Sequence, residues 1–238
     1  MMKNIIVNSH PKSPISEAYR VIRTNIQFAN VDKAIKTILV TSPTPGEGKT
    51  TTLANIAAAM AQGGNKVLII DADMRKPRVH KVLELNNNRG LAELLLEQGS
   101  PMDYIQGHEV LGIDVLTSGN IPTNPSELVQ SKAMKQLMES LKEEYEYIFV
   151  DTPPVLPVTD STIMSTYIDS VLLVIQSGAI NRELVNKAKN ALLQVGANIL
   201  GVVLNKIQVK DTRAYNSYYY YYAEDQPKKP RSQRKSAK

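Results

Sequence analysis

The chain has 238 residues, of which 42% are hydrophobic, a length and composition that suit one α/β domain with a sizeable core. It contains no cysteine, which excludes disulfides and thiolate-bound metal, and no apolar run approaches the roughly 20 residues that span a bilayer. The formal net charge of +5 is uneven, because six lysines and arginines follow Gln226 without any acidic residue and leave about −1 for the rest. That basic end could contact anionic lipid, nucleic acid or phosphate groups, or serve only as a solubilising segment.

The first predicted helix covers residues 16–30, ahead of the first strand. Its apolar residues Ala18, Val21, Ile22 and Ile26 recur at helical spacing and form one stripe, which we expect to face the core. The residues before it are polar and mixed and lack the apolar stretch of a signal peptide, so we expect a cytoplasmic protein.

Six short apolar runs rich in valine and isoleucine alternate with longer amphipathic stretches. They cover residues 37–41, 66–70, 113–117, 147–150, 170–175 and 200–204. Continuous runs of this length are typical of strands buried on both faces of a parallel sheet, and helical stretches between most of them favour βαβ winding. The predicted fold is therefore α/β, a mostly parallel sheet with helices on both faces.

Two later helices carry clear boundary signals. The sequence Asn-Pro-Ser-Glu at residues 124–127 combines a capping residue with proline at the first helical position, and predicts one helix running to about Glu144. Residues 181–195 form another predicted helix, which ends before Gly196. The apolar pattern stops near residue 208, so we predict a domain of residues 1–207 and a flexible, disordered tail of residues 208–238.

The first strand runs into a glycine-containing turn, SPTPGEGKT at residues 42–50, and a helix follows it. Strand, turn, Lys-Thr and helix are the parts of a P-loop, whose backbone N–H groups close on phosphates at a helix N-terminus. Lys49 would reach the β- and γ-phosphates, and the Thr50 hydroxyl would bind Mg²⁺. Pro43 stands where the common pattern has its first glycine.

The predicted ATP-binding residues are those of this turn and one from the last strand. They are Pro45, Gly46, Glu47, Gly48, Lys49, Thr50, Thr51 and Asn205. For the Glu47 side chain, solvation is favoured over contact with metal or water. Asn205 opens the sequence Asn-Lys-Ile-Gln after the last strand, and Gln208 stands where GTPases place a guanine-reading aspartate. We therefore expect adenine rather than guanine, with Asn205 either touching the base or forming a turn.

Three aspartates follow predicted strands directly. Asp71 and Asp73 follow the second strand, and Asp151 follows the fourth. In an open α/β sheet, ligands sit at the carboxyl ends of the strands. Carboxylates there, close to a triphosphate, would mainly position Mg²⁺ and its waters, and one could take a proton from an attacking hydroxyl.

Six of the chain's eleven tyrosines fall within eight residues, at Tyr215, Tyr218, Tyr219, Tyr220, Tyr221 and Tyr222. No core accepts such a run, since its side chains would alternate faces on a strand and point all round on a helix. We interpret the run as a solvated display of phenol hydroxyls.

Together these segments resemble the bacterial tyrosine kinases, and in particular the stand-alone cytoplasmic kinase of Gram-positive capsule and exopolysaccharide operons. The resemblance is carried by residues 45–50, 71–75 and 151–154 and by the tyrosine-rich tail, and it spans nearly the whole chain. Glu17, Arg20 and Arg23 match the family's Glu-x-x-Arg-x-x-Arg helix, which is used for ring assembly. Without the resemblance, these three residues would be interpreted as a solvated charged face.

The resemblance implies a P-loop kinase that uses ATP and Mg²⁺. Lys49, Asp71, Asp73 and Asp151 would be catalytic, with Asp71 as the base or a Mg²⁺-linked residue and Thr50, Asp73 and Asp151 at the metal. The tail tyrosines would accept phosphate from a neighbouring subunit of a ring. The implied partner is a separate membrane-anchored protein that activates the kinase and recruits it to the inner face of the membrane, where protein substrates and polysaccharide synthesis or export are regulated.

Two other functions remain open for the same sheet architecture. Cell-division and plasmid-partition ATPases carry a signature lysine five residues before the P-loop lysine, and Thr44 stands there in this chain. That difference counts against a partition-type switch binding DNA or membrane, and nucleic acid is an unlikely partner. The other alternative is a non-catalytic ATP-binding scaffold whose tail docks a different kinase.

Overall fold

The computed structural model describes residues 5–30 and 34–207. The predicted tail lies outside the described residues, and so do the tyrosines predicted as phosphate acceptors, Tyr215 and Tyr218 to Tyr222. The tail boundary, its disorder and the role of its tyrosines therefore stay predictions.

The strands of the described residues form a single sheet. They are β1 (Thr37–Thr41), β2 (Val67–Asp71), β3 (Gln106–His108), β4 (Ile113–Leu116), β5 (Tyr147–Asp151), β6 (Ser170–Gln176) and β7 (Ile199–Asn205). Their order is β3-β4-β2-β5-β1-β6-β7, and all neighbours are parallel except β3 and β4. The prediction of a mostly parallel sheet is confirmed.

All six predicted strands are present, with ends within one residue of the predicted ones. The sequence analysis missed β3, a three-residue strand at the edge of the sheet. Its sequence, Gln-Gly-His, has no apolar run, so the signal used for the other strands is lacking there.

Helices and one short 3₁₀ segment precede or connect the strands of the described residues. They are α1 (Ile6–Ser9), α2 (Pro14–Ala29), α3 (Lys49–Gln62), α4 (Val79–Val82), α5 (Leu91–Glu97), the 3₁₀ segment (Pro101–Asp103), α6 (Pro125–Gln130), α7 (Lys132–Glu144), α8 (Asp160–Met164) and α9 (Arg182–Gln194).

The predicted single helix of residues 125–144 is wrong, because the chain breaks it at Ser131. The backbone of Ser131 is extended, and its hydroxyl accepts the N–H of Met134, so that α7 starts with its own cap. Asn124 makes no side-chain capping bond to α6. The helix predicted at residues 181–195 is present as α9, and the side chain of Asn181 caps it by accepting the N–H of Glu183.

The apolar stripe predicted for α2 is only partly correct. Ile26 is buried, but Val21 is 53% exposed, and Tyr19 supplies the buried contact instead. This helix has apolar residues on more than one side, and spacing alone does not decide which side meets α3.

Two hydrophobic clusters cover the sheet, one on each side. Leu39 of β1 belongs to one cluster, which also takes residues of α7 and α9. Its neighbours Ile38 and Val40 belong to the other, which takes residues of α2 and α3. Because side chains alternate along a strand, this division confirms helices on both faces.

The central strands bring the predicted site residues to one edge of the sheet. Asp71 ends β2, Asp151 ends β5, and the two are direct partners in the parallel register. The neighbour of β5 on its other side is β1, which leads into the turn before α3. The carboxyl ends of three adjacent strands therefore meet beside the N-terminus of α3.

Candidate active site

The turn between β1 and α3 depends on glycine at residue 48. Gly46 and Gly48 have φ values of +86° and +92°, a region that favours glycine. At Gly48 a Cβ atom would also collide with the side-chain amide of Asn205. The chain can therefore turn directly into α3, whose first residues are Lys49 and Thr50.

Glu47 holds this turn in shape, and the expectation of a solvated side chain is wrong. The residue is only 3% exposed. One carboxylate oxygen accepts the N–H and the hydroxyl of Thr44 at 2.7 and 2.8 Å, and the other accepts the N–H of Gln176 at 3.0 Å. The carboxylate thus ties the turn to the end of β6.

Asn205 and Lys206 brace the same turn from the end of β7. The Asn205 amide donates to the carbonyl of Glu47 at 2.8 Å, and the Lys206 ammonium donates to the carbonyl of Gly46 at 2.8 Å. The Asn205 side-chain oxygen accepts the N–H of Lys206. Asn205 therefore lies against the predicted phosphate-binding turn, and its contact with adenine stays a prediction.

Lys49 lies between two of the predicted aspartates. Its Nζ donates to Asp73 Oδ2 at 2.9 Å and lies 3.6 Å from Asp151 Oδ1. Burial alone would lower the pKa of Lys49, but the charges of Asp151 and Asp73 outweigh it and raise that pKa above its ordinary value. Lys49 is therefore charged at neutral pH.

Asp71 is fully buried behind this group. Its carboxylate accepts the backbone N–H groups of Asp73, Arg78 and Val79 at 3.0 to 3.2 Å. Burial, and after it the nearby charge of Asp151, raises the pKa of Asp71 well above its ordinary value. Its carboxylate holds the chain that leads from β2 to α4.

The residues at the end of β5 fit a magnesium ion. The Thr50 hydroxyl donates to Asp151 Oδ2 at 2.6 Å, while buried Oδ1 accepts no hydrogen bond from the described residues. Burial raises the pKa of Asp151, ahead of the opposing effects of Lys49 and Thr50. Hydroxyl and carboxylate oxygens are ligands that Mg²⁺ prefers. No group of three or more His, Asp or Glu in the described part of the chain could by itself hold a metal ion.

A cavity of about 780 Å³ opens beside the turn. Its lining combines residues of the turn and of α3 with prolines after β5 and with the segment after β2, and Asp73 is the one predicted aspartate that reaches it. Its size is that of a small-molecule site.

Arg75, also on the cavity wall, forms a bidentate salt bridge with the buried carboxylate of Asp160. Its Nε and Nη2 donate to Asp160 at 2.8 and 3.0 Å, and Nη2 also donates to the Ser126 hydroxyl at 2.7 Å. Ser126 in turn donates to Asp160 at 2.8 Å. The sequence analysis left open whether Arg75 meets phosphate or an aspartate, and it did not find Asp160, which lies in no motif.

The three charged residues of α2 do not form a single exposed row. Arg20 pairs with Glu17 at 2.9 Å and donates to the carbonyl of Pro11. Arg23 instead donates to the carbonyl of Ala59 in α3 at 3.0 Å. Their role in ring assembly stays a prediction. Within residues 5–30 and 34–207, none of the helices has the length and apolar character needed to cross a membrane.

Comparison with known proteins places these features in a family. A model of the AAA domain matches residues 35–199. The chain is 45% identical to tyrosine-protein kinase YwqD of Bacillus subtilis, over 94% of both chains, and 42% identical to the putative tyrosine-protein kinase CapB of Staphylococcus aureus, over 93% of this chain and 96% of that one. Among solved structures, the chimerical protein CapA2B2 superposes with a TM-score of 0.82 at 47% identity, over 86% of this chain and 90% of that one.

Proposed function

The chain belongs to the bacterial tyrosine-protein kinase family, and we propose on that premise that it transfers the γ-phosphoryl group of ATP to tyrosines in the tail of a second copy. The acceptors would be Tyr215 and Tyr218 to Tyr222, which lie outside the described residues. The observation that carries the proposal is the junction of Lys49 and Thr50, which line the cavity, with the buried carboxylate of Asp151 behind them, in a chain that also carries this run of phenols.

The residues of the cavity have distinct proposed roles. The turn at residues 45–51 and the charged Lys49 would bind the phosphates. Thr50, Asp73 and Asp151 would hold Mg²⁺, which when bound withdraws charge from the phosphates. Little covalent help is needed for such a transfer, and orientation and charge stabilisation supply most of the catalysis.

The acceptor phenol must also lose a proton, because a free tyrosine has a pKa of about 10. Asp71 is the base expected from the resemblance, yet its carboxylate already accepts three backbone N–H groups and does not line the cavity. Asp73 does line it, and its backbone is fixed by a hydrogen bond to Asp71. We therefore assign proton acceptance to Asp73 and a positioning role to Asp71.

Thr44 supports the kinase over a partition-type ATPase. Both its N–H and its hydroxyl are bound to Glu47, at the position where the partition ATPases carry a lysine. The Thr44 side chain carries no positive charge, and its hydroxyl is already hydrogen-bonded to Glu47 within the turn.

The proposal is tested by mixing two full-length variants, one without a working site and the other without acceptor tyrosines. Lys49→Met keeps the tail but loses the phosphate-binding ammonium, and a variant with all six tail tyrosines changed to Phe keeps the site. With Mg²⁺ and ATP, mass spectrometry should detect phosphotyrosine on the Lys49→Met chain only when the second variant is present. Lys189→Met, a change of an exposed lysine on α9, is the matched control and should behave as wild type.

Two outcomes would contradict the proposal. Phosphotyrosine on Lys49→Met incubated alone would show that the site is assigned wrongly. Its absence from wild type, even with the cytoplasmic end of a candidate activator, would favour the scaffold function.

We further propose that the kinase serves capsular or exopolysaccharide synthesis or export at the inner face of the membrane. A separate membrane-anchored activator would recruit it there, and α2 would assemble copies into a ring through Glu17, Arg20 and Arg23. In the described structure Glu17 and Arg20 pair with each other, so assembly would exchange that pair for contacts between subunits. Sedimentation of Arg20→Ala should show a smaller assembly than wild type, and an unchanged assembly would remove this residue from the interface.

A further inference from the structure

The cationic residues that line the cavity fall into two groups. Lys49 and Arg75 are each paired with buried carboxylates. Lys76, Arg78 and Lys81 are exposed, and none of them has an ion pair within the described residues. We call these three residues the basic rim.

Two backbone N–H groups of the basic rim are hydrogen-bonded to Asp73 and Asp71. The N–H of Lys76 donates to Asp73 at 3.1 Å, and the N–H of Arg78 donates to Asp71 at 3.2 Å. Three like charges within six residues repel one another, and a cavity wall concentrates their field. A ligand that brings negative charge to this wall would relieve the repulsion.

In the proposed function, the phosphates of ATP bind the turn and Lys49 rather than the basic rim. The second ligand proposed for this site is the tyrosine-rich tail, whose acidic charge next to the tyrosines stands in one place, ahead of the cationic residues that follow Gln226. Between Tyr215 and Gln226, Glu224 and Asp225 are the only charged residues, and they stand two and three residues after the last tyrosine.

We propose that the basic rim binds Glu224 and Asp225 of a second copy and so presents Tyr222 first. In an extended segment, residues two apart lie on the same side and about 7 Å from each other, so Glu224 would reach the rim while Tyr222 enters the site. This inference rests on the proposed function and names how that function selects its acceptor.

The same contact sets an order along the run. Transfer breaks the bond between the γ-phosphorus and the β–γ bridging oxygen, which leaves with ADP. It forms a bond from the phenol oxygen to phosphorus, and the phenol proton goes to Asp73. The new phosphotyrosine carries about −1.5 to −2 charge. At residue 222 this charge stands two residues after Tyr220, the same spacing by which Glu224 follows Tyr222. Phosphorylation would therefore proceed from Tyr222 towards Tyr215.

A binding measurement tests the rim without requiring catalysis. The probe is a labelled peptide of residues 214–226, and the full chain carries Glu224→Gln and Asp225→Asn so that its own tail does not compete. Changing Lys76, Arg78 and Lys81 to Gln should weaken peptide binding about tenfold at low salt, with little difference left at about 1 M salt. The matched control changes Arg182, Lys187 and Lys189 of α9 to Gln and should bind as the parent chain does.

Reversing the charges on both the rim and the peptide distinguishes loss of this contact from misfolding of the variant. A chain with glutamate at all three rim positions should bind the wild-type peptide poorly and recover affinity for a peptide with Glu224→Lys and Asp225→Lys. The proposal is overturned if the exchange restores nothing, if rim and control variants bind alike, or if the rim variant loses affinity for a non-hydrolysable ATP analogue instead of the peptide.

Time-resolved phosphosite mapping tests the order on the full chain. Tyr222 should be modified first, and Glu224→Gln with Asp225→Asn should abolish that preference. Earlier modification of Tyr215, or an order unaffected by the acidic pair, would refute the proposal. A wild type that forms no phosphotyrosine, even with the cytoplasmic end of a candidate activator, would refute the kinase function, whereas the binding measurement would still decide the role of the rim.

Discussion

The carboxylates at the two ends of the same sheet differ in how completely their hydrogen bonds are made within the fold. At the amino end, Asp169 precedes β6 and accepts the N–H groups of Lys36 and Thr37 and the ammonium of Lys142 at 2.8 to 3.2 Å. Burial would raise the pKa of Asp169, but these hydrogen bonds outweigh it and lower that pKa. At the carboxyl end, burial raises the pKa values of Asp71 and Asp151, and one oxygen of Asp151 accepts no hydrogen bond from the residues that the structure describes.

This difference distinguishes carboxylates that stabilise the fold from carboxylates that act on ligands. A carboxylate whose bonds are all made inside the fold stabilises the charged form and contributes to folding. A carboxylate left short of partners is costly in the free protein and gains its partners only from ligands. Stability should therefore depend on the amino end, and activity on the carboxyl end.

The largest effect should come from Asp151→Asn. The change keeps the size of the side chain and an acceptor for Thr50, but it removes the charge that faces the metal and Lys49. We expect kcat for tyrosine phosphorylation to fall roughly a hundredfold to a thousandfold. Because a desolvated charge is removed, the free energy of unfolding without ligands should rise by about 1 kcal/mol.

Activity and urea unfolding would be measured on the same preparation of Asp151→Asn. A variant that lost both activity and stability would break the comparison, since Asp151 would then support the fold as Asp169 does.

Asp169→Asn should show the reverse. Its carboxylate accepts two backbone N–H groups through one oxygen and an ammonium through the other, and an amide cannot replace both. We expect a loss of about 2 kcal/mol in the free energy of unfolding, measured with urea. The kcat of the folded variant should stay within about twofold of wild type, because Asp169 does not line the cavity. A tenfold loss of kcat at full folding would count against the division between the two ends.

The pH dependence of these two variants should sharpen the same contrast. The pKa of Asp169 is lowered in the folded state, so its stabilisation is complete above the unfolded value of about 3.9 and is lost as pH falls through the folded value. The pKa of Asp151 is raised, so its penalty is present at neutral pH and is relieved as pH falls through that raised value towards about 3.9. Unfolding from pH 7 to pH 3 should therefore show the deficit of Asp169→Asn persisting to lower pH than the gain of Asp151→Asn. Identical profiles would contradict the assigned directions.

Much of the carboxyl end could be predicted from the sequence, because its signals are local. Continuous apolar runs identified the strands, and Gly46, Gly48, Lys49 and Thr50 identified the turn with its helix. The three aspartates followed from their places after strands, since parallel strands share one carboxyl edge.

The rest depended on partners that are distant along the chain. Glu47 is buried because its carboxylate meets the N–H of Gln176, 129 residues away. Asp160 and Asp169 carry no motif, and their importance comes from Arg75 and from Lys36 and Thr37. Local spacing does not encode such contacts. The break at Ser131 was missed for a different reason, because proline and apolar spacing suited one helix or two.

The smallest effect should come from Ser126→Ala. This change tests whether every carboxylate at the carboxyl edge of the sheet takes part in catalysis. Asp160 lies at that edge, but it is as fully bonded as Asp169, to Arg75 and Ser126. If bonding rather than position decides the role, loss of the hydroxyl should cost about 0.5 kcal/mol of stability and change kcat less than about twofold. Ser140→Ala, an exposed serine of α7, is the matched control. A tenfold fall in kcat with unchanged stability would show that Arg75 acts on the substrate, so that position at the edge and not completeness of bonding decides what a carboxylate does.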